Sequence, residues 1–164
     1  MEKTIKILNQ LESGGFIGRY AIGGAMAATF YAEPLLTYDL DVFLSFPKTG
    51  ALVSLTPLYD ELRSRGYPEQ RECVDIEGVA VQFLPADDGL LAEALERAVE
   101  VPYGAEKTRV FSAEHLAAIC LQTGRPKDRE RFRLLLEEAD LDRTVLGDIL
   151  ERHGLKERLK QWTA

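Results

Sequence analysis

Cysteine is scarce in this chain of 164 residues: Cys73 and Cys120 are the only two, far apart and in no CxxC pair. That excludes a disulfide-stapled miniprotein or a cysteine metal pair, and it predicts reduced, buried thiols in a cytoplasmic protein. Histidine is as rare. His115 and His153 stand at no metal-ligand spacing to each other or to a cysteine, and both are expected at the surface or in capping positions. A long apolar run is missing too. The longest charge-free, mostly apolar stretch, Tyr20–Ala32, falls short of the roughly 18–20 residues of a spanning helix, so no membrane partner is expected. Met1–Lys6 has no apolar core, and no targeting segment is read there. HExxH, GxSxG and P-loop motifs do not occur. Positive charge is also short. The net charge of −7 disfavours broad nucleic-acid binding, but it leaves room for a local basic site or a nucleotide carried with a metal ion.

What is present is an ordinary globular composition, with 46% apolar residues, enough for an independent core in one domain. No repeat, low-complexity tract or long linker interrupts it. Ile5, Leu8 and Leu11 predict an amphipathic helix over 3–12, closed by Ser13-Gly14-Gly15. Phe16–Ile22 reads as a strand, Ala25–Ala32 as a small-residue helix, and Tyr38–Phe46 as a second strand. Leu52–Arg65 reads as a helix with Pro57 in its first turns. Glu72–Ile76 and Val79–Leu84, joined across Glu77-Gly78, predict a hairpin. Gly89–Val99 follows as a helix, then a second hairpin from Glu100–Tyr103 and Thr108–Phe111 around Gly104. From Ser112 on, the pattern is helical. Ser112 caps one helix that Gly124 closes, Pro126 opens the next, and Asp140 or Asp142 caps another that ends near Gly154. Trp162 is expected to anchor the last helix. Strands that come singly and as hairpins favour an α+β fold with a mixed sheet over a doubly wound parallel one. The division expected is a core over 1–111 and a helical region over 112–164 packed on it as a single compact unit.

Two local features carry chemistry. Gly23-Gly24 sits between a strand and a helix. Glycines there serve either a tight turn or a close approach of backbone N–H groups to a phosphate. Asp39 and Asp41 open an otherwise apolar strand, and alternation puts both carboxylates on one face, about 7 Å apart at Cα. Like charges there are destabilising unless compensated. A strand end exposed to water is one compensation, and a divalent cation is the other. An oxygen-only ligand set suits Mg²⁺ or Mn²⁺, with a nucleotide's phosphates completing the shell.

Ile22-Gly23-Gly24 followed by Asp39-Leu40-Asp41 resembles the signature of the nucleotidyltransferase superfamily, the polymerase-β-like fold. Gly124-Arg-Pro-Lys-Asp-Arg-Glu-Arg is similar to the Lys-Asp motif of its AbiEii toxin-like branch. The resemblance runs from about residue 18 to about residue 138. It implies a nucleotidyltransferase-like mixed sheet flanked by helices, with a helical C-terminal third. It implies transfer of an NMP from an NTP to an RNA or protein acceptor, with a cognate antitoxin as a possible partner. By resemblance, Gly23, Gly24, Thr37, Gln82 and Lys127 bind nucleotide, and Asp39 and Asp41 hold the metal. The catalytic set is Asp39, Asp41, Lys127 and Asp128, with Asp128 orienting the lysine or joining the metal site. Gln82 stands where the superfamily supplies a third carboxylate, with Asp75 and Glu77 nearby in sequence as substitutes. A second reading follows from Gln82: a chain that keeps the fold and nucleotide binding but acts through a partner.

Arg125, Lys127, Arg129, Arg131 and Arg133 make a basic cluster in an acidic chain. It is either a solvated helix face paired with Glu130, Glu137 and Glu138, or a patch that faces phosphate.

Overall fold

A computed structural model describes residues 1–47 and 53–164. Helix α1 (Glu2–Ser13) turns Ile5, Leu8 and Leu11 fully inward and stops at Gly14. Each such burial is worth roughly 1.5–3 kcal/mol. Strand β1 (Tyr20–Ile22) and helix α2 (Gly24–Ala28) follow, then strand β2 (Leu40–Leu44). Helix α3 (Thr56–Ser64) precedes strands β3 (Glu69–Gln70), β4 (Cys73–Ile76) and β5 (Val79–Pro85). Helix α4 (Gly89–Glu96) leads into strands β6 (Val99–Tyr103) and β7 (Glu106–Val110). Four helices complete the chain: α5 (Ala113–Thr123), α6 (Pro126–Glu138), α7 (Arg143–Arg152) and α8 (Lys156–Thr163).

The seven strands form one sheet in the order β3-β4-β5-β2-β1-β7-β6. β2 runs parallel to β5 and β1 parallel to β7, while the other neighbours are antiparallel. This is the expected α+β architecture, a mixed sheet flanked by helices with a helical C-terminal third. The β4–β5 hairpin turns on Glu77 and Gly78, both at positive φ, 55° and 82°, which matches the right-handed twist of the strands it joins. α5 packs against α2, α6, α7 and α8. One apolar cluster runs from Leu8 through the sheet to Leu155, with Phe43 and Phe111 stacked 4.8 Å apart at its centre.

Several expected elements are shorter than the pattern suggests. The first strand begins at Tyr20 rather than Phe16. The Ser45 hydroxyl accepts from the Arg19 N–H at 2.9 Å, and the Gly18 N–H reaches the Ser45 carbonyl, so the regular ladder does not extend further. The small-residue helix stops at Ala28 because Thr29 bonds back to the Met26 carbonyl at 2.6 Å and the next amides bond three residues back. The helix expected to reach Val99 ends at Glu96, since Val99 pairs with Val110 in the sheet. Leu52, the expected start of α3, lies outside the described residues. Pro57 does sit in the first turn of that helix. Ser112 caps α5, Gly124 closes it at φ 69°, Pro126 opens α6, and Asp142 rather than Asp140 caps α7. Trp162 packs its ring on Phe132 at 5.5 Å and holds α8 against α6.

Candidate active site

A cleft of about 520 Å³ opens between the sheet and helices α5 and α6. Its sheet wall carries Gly24, Asp39, Asp41, Phe43 and Gln82, and its helix wall carries Thr123, Arg125, Lys127, Asp128 and Arg131. That volume suits a small-molecule ligand.

The sheet wall follows from alternation along β2. Leu40, Val42, Phe43 and Leu44 are buried, and Asp41 alone of the strand is half-buried, facing the cleft. Asp39 lies one residue before the strand and faces the same cleft. No described side chain donates a hydrogen bond to either carboxylate. Burial raises the Asp41 carboxyl above the ordinary carboxylate range, and Asp39 raises it further. Arg131, Lys127 and Arg125 pull it back, in that order of strength, without cancelling the rise.

The two glycines divide their work. The Gly23 N–H donates to the Asp41 carbonyl at 3.0 Å. A Cβ on Gly23 would run into the Phe43 ring. Gly23 therefore fastens the turn to β2, and its amide is not free for the phosphate the sequence assigned to it. Gly24 is the one that faces the cleft. Its φ is +62°, and a Cβ there would overlap the Asp41 carboxylate. Thr37, also expected to bind nucleotide, is not in the cleft lining; its hydroxyl closes a turn onto the Asp39 carbonyl at 3.0 Å.

The helix wall sorts the basic cluster residue by residue. Arg133 is spent on Glu130 and Glu137, as a solvated helix face would have it. Arg129 lies over the Trp162 ring at 5.9 Å. Arg125, Lys127 and Arg131 line the cleft, and Lys127 is exposed there. Asp128 is buried, at 1% exposure. It accepts from the Arg125 Nε at 2.7 Å and Nη2 at 3.1 Å, from the Thr123 hydroxyl at 2.7 Å, and from the Arg125 backbone N–H at 3.2 Å. Arg131 Nη1 stands 3.4 Å from its Oδ1. Burial pushes this carboxyl up, but the Arg125 and Thr123 hydrogen bonds outweigh it and leave the group below the usual range. The expectation that Asp128 orients Lys127 is corrected here: none of its hydrogen bonds runs to the lysine. They go to Arg125, Thr123 and Arg131 because the third residue of a helix faces back toward its own N-cap.

Gln82 is the register partner of Asp41 on the parallel strand β5, so its amide takes the lateral place beside the acid. Asp75 and Glu77 do not substitute for it. Asp75 is exposed and closes the hairpin on the Gly78 N–H, and Glu77 accepts from the Tyr67 hydroxyl. Among the described residues, no group of three or more His, Cys, Asp and Glu side chains is placed to hold a metal. Two neighbouring carboxylates without a donor nonetheless fit one hard divalent cation, because such a cation relieves their mutual repulsion and the lost hydration of Asp41.

Sequence reasoning missed the inward turn of Arg131 and the clamp of Arg125 on Asp128, although the 125/128/131 spacing was a signal for them. Of the two places expected for His115, surface or cap, the structure shows the cap, since its N–H and its ring both bond the hydroxyl of the N-cap Ser112. His115 is 2% exposed, with Ser112 on Nδ1 at 2.8 Å and Glu93 on Nε2 at 3.2 Å. Glu93 also takes His153 and Arg152, tying α4 to α5 and α7. His153 does stand at a cap, the C-cap of α7. Neither cysteine is paired, and burial pushes the Cys120 thiol up to about 12. No helix among the described residues is long and apolar enough to cross a membrane.

No protein-family model and no curated protein sequence matches this chain. Solved structures do. The structure is similar to ANT(2″)-Ia in complex with adenylyl-2″-tobramycin, with 14% identity and a TM-score of 0.57 over 94% of this chain and 98% of that one. A solution structure of the antibiotic-resistance factor ANT(2″)-Ia aligns with 15% identity and a TM-score of 0.58 over 96% and 92% of the two chains. An antigenic nucleotidyltransferase-like protein from Paracoccidioides brasiliensis aligns with 13% identity and a TM-score of 0.56 over 97% and 93%. At such identities the likeness establishes the fold: this chain folds as a nucleotidyltransferase does.

Proposed function

We propose that the chain is a nucleotidyltransferase of the AbiEii toxin-like kind, which binds an NTP with Mg²⁺ or Mn²⁺ and transfers NMP to an RNA or protein acceptor. One observation supports this above the rest. The acid pair Asp39/Asp41, with Asp41 lying against Gly24, faces Lys127, Arg125 and Arg131 across a single cleft. Acids on one wall and cations on the other suit a metal-bound triphosphate.

Asp39 and Asp41 would hold the cation, which when bound neutralises the triphosphate and stabilises the leaving oxygen. The chain's own part is placement and charge. Gly24 has no side chain, so the Asp41 carboxylate can lie directly against the backbone at the cleft wall. Lys127 meets a phosphate oxygen as a mobile point charge. Asp128 stays ionised and holds Arg125 against the helix N-terminus. The Gln82 amide offers a neutral carbonyl or N–H beside Asp41, and it can take no proton. The acceptor oxygen forms its bond to the α-phosphorus while the bond to the α–β bridging oxygen breaks. The electron pair leaves on pyrophosphate, and the acceptor's proton passes to water.

The test is calorimetric titration with each of the four NTPs, with and without Mg²⁺. Metal-dependent binding that disappears in Asp39→Ala supports the reading, and no binding at millimolar NTP sinks it. Acceptor trials then include RNA and co-purifying proteins. They also include tobramycin, since one structural neighbour was solved with its adenylyl derivative.

Gln82 favours a second reading, a fold that keeps the nucleotide but not the chemistry and acts through a partner such as an antitoxin. Gln82→Glu should raise transfer if only a third acid is missing. If wild type binds NTP but neither form transfers, the partner reading stands.

A further inference from the structure

Arg131 is the anomaly of the cleft. Its side chain is 11% exposed, against 54% for Arg125. Its Nε is buried without any hydrogen-bond partner. A guanidinium carries five N–H donors, and here Nη1 reaches Asp128 at the long distance of 3.4 Å, with the Cys120 thiol beside the guanidinium as a weak acceptor. Asp128 is already neutralised by Arg125 through two shorter bonds, at 2.7 and 3.1 Å. A buried cation left with so weak a share of a counter-ion is costly to the fold unless something else uses it. It faces the cleft that Asp41 enters from the other side, and of the three cleft cations its charge acts most strongly there. Opposite, the place of a further acid is taken by neutral Gln82.

We propose that Arg131 is a phosphate-contacting catalytic residue: its free guanidinium edge binds the departing β,γ-phosphates of the NTP. The chain thereby supplies from a fixed side chain positive charge that a cleft with only two metal-binding acids would otherwise draw from a second cation. This rests on the nucleotidyl-transfer reading above and adds a residue to it. As the α-phosphorus to bridging-oxygen bond breaks, the pyrophosphate carries off the electron pair, and Arg131 donates N–H bonds to the oxygens that gain that charge. A planar, always-charged donor with unused N–H groups is suited to it, and Lys127, an exposed point charge without a fork of donors, is not equivalent.

The experiment is calorimetric binding of inorganic pyrophosphate with Mg²⁺ to wild type, Arg131→Met, Arg131→Lys and the surface control Arg133→Met. Thermal melts verify folding. Loss of charge-assisted bonds weakens pyrophosphate about tenfold or more in Arg131→Met. Arg131→Lys should be weakened less, and Arg133→Met less than twofold. Metal-dependent NTP binding, abolished by Asp39→Ala, should persist in Arg131→Lys. Should Arg131→Met not fold, Arg131→Lys decides alone, because it keeps the charge but loses the fork. If wild type binds Mg-NTP and Arg131→Lys and Arg131→Met bind pyrophosphate as wild type does, this proposal is overturned and the nucleotidyl-transfer reading survives. If wild type binds neither ligand, both fall together.

Discussion

Replacing Asp41 with asparagine should stabilise the protein at neutral pH while ending nucleotide transfer. The two acids sit two residues apart, about 7 Å at Cα. Charges at that spacing repel by about 2.4 kcal/mol at an effective dielectric of 20 and by about 0.6 kcal/mol in water. Asp39 is half-buried at the cleft mouth, and Arg131, Lys127 and Arg125 offset part of the repulsion, so a gain of about 1 kcal/mol is expected. For a chain of this length that is a rise in Tm of about 2–4 °C. The pH dependence has a definite sign. The carboxyl is raised in the folded state, first by burial and then by Asp39. Its ionisation therefore costs the fold stability above that raised pKa, and the cost vanishes as pH falls through the carboxylate range. The gain of Asp41→Asn should be full at pH 7 and absent near pH 3. Mg²⁺ should reverse the order at pH 7, raising the wild-type Tm and leaving the variant's unchanged. Scanning calorimetry at both pH values, with and without Mg²⁺, reads all of this. A variant that melts several degrees below wild type at pH 7 without metal would falsify the view of Asp41 as an uncompensated charge.

Gly24→Ala should cost at least about 1 kcal/mol, because a β-carbon at φ +62° is strained and overlaps the Asp41 carboxylate, and Mg-dependent NTP binding should go with it. Unchanged NTP affinity in that variant would remove Gly24 from the site. Asp128→Ala strips Arg125 and the buried Arg131 of their counter-ion and should destabilise by about 3–5 kcal/mol in denaturant titration, whereas a loss under 1 kcal/mol would contradict the buried clamp. Glu93→Gln weakens the bonds to Arg152, His153 and His115 and should cost about 1.5–3 kcal/mol at pH 7. The Glu93 carboxyl is held down to about 2, first by Arg152 and then by the two histidines against the opposing effect of burial. Its contribution is thus complete above the ordinary carboxylate pKa and fades as pH drops toward 2, so wild type and variant should melt together in strong acid.

Much of the site was legible because its sheet wall is local in sequence. A Gly-Gly turn and a two-residue alternation are read along one stretch of chain, and Gly24, Asp39 and Asp41 do meet in the cleft. The β4–β5 hairpin was legible for the same reason, since Gly78 takes a positive φ without steric cost and Glu77 is carried into the same region beside it. What was not legible depends on side chains that choose among partners. Asp128 had Lys127 beside it in sequence and took Arg125 and Arg131 instead, one helical turn along. The burial of His115 behind its cap was not legible because its second partner, Glu93, lies in another helix and takes His153 from a third. Element ends were blurred where one hydroxyl, on Ser45 or Thr29, broke a ladder that the apolar pattern alone would have continued.

The charge of the whole chain and the charge of its cleft answer different questions. A net charge of −7 argues against a polyanion lying along the surface. The same argument says nothing about a cleft in which the side chains have been sorted. Of the five basic residues in 125–133, Arg133 is neutralised by two glutamates and Arg129 is laid on an indole. Neither has much left for a phosphate. Arg125 is committed to Asp128. Lys127 and Arg131 have more to spare, and they differ in kind: one is exposed, the other mostly buried and held loosely by Asp128. Lys127 and the loosely held Arg131 opposite Asp39 and Asp41 make a site that is nearly neutral in sum and strongly polarised across its width. Such a site has little pull on a bare polyanion. It discriminates for a ligand that brings both signs, as a triphosphate with its metal does.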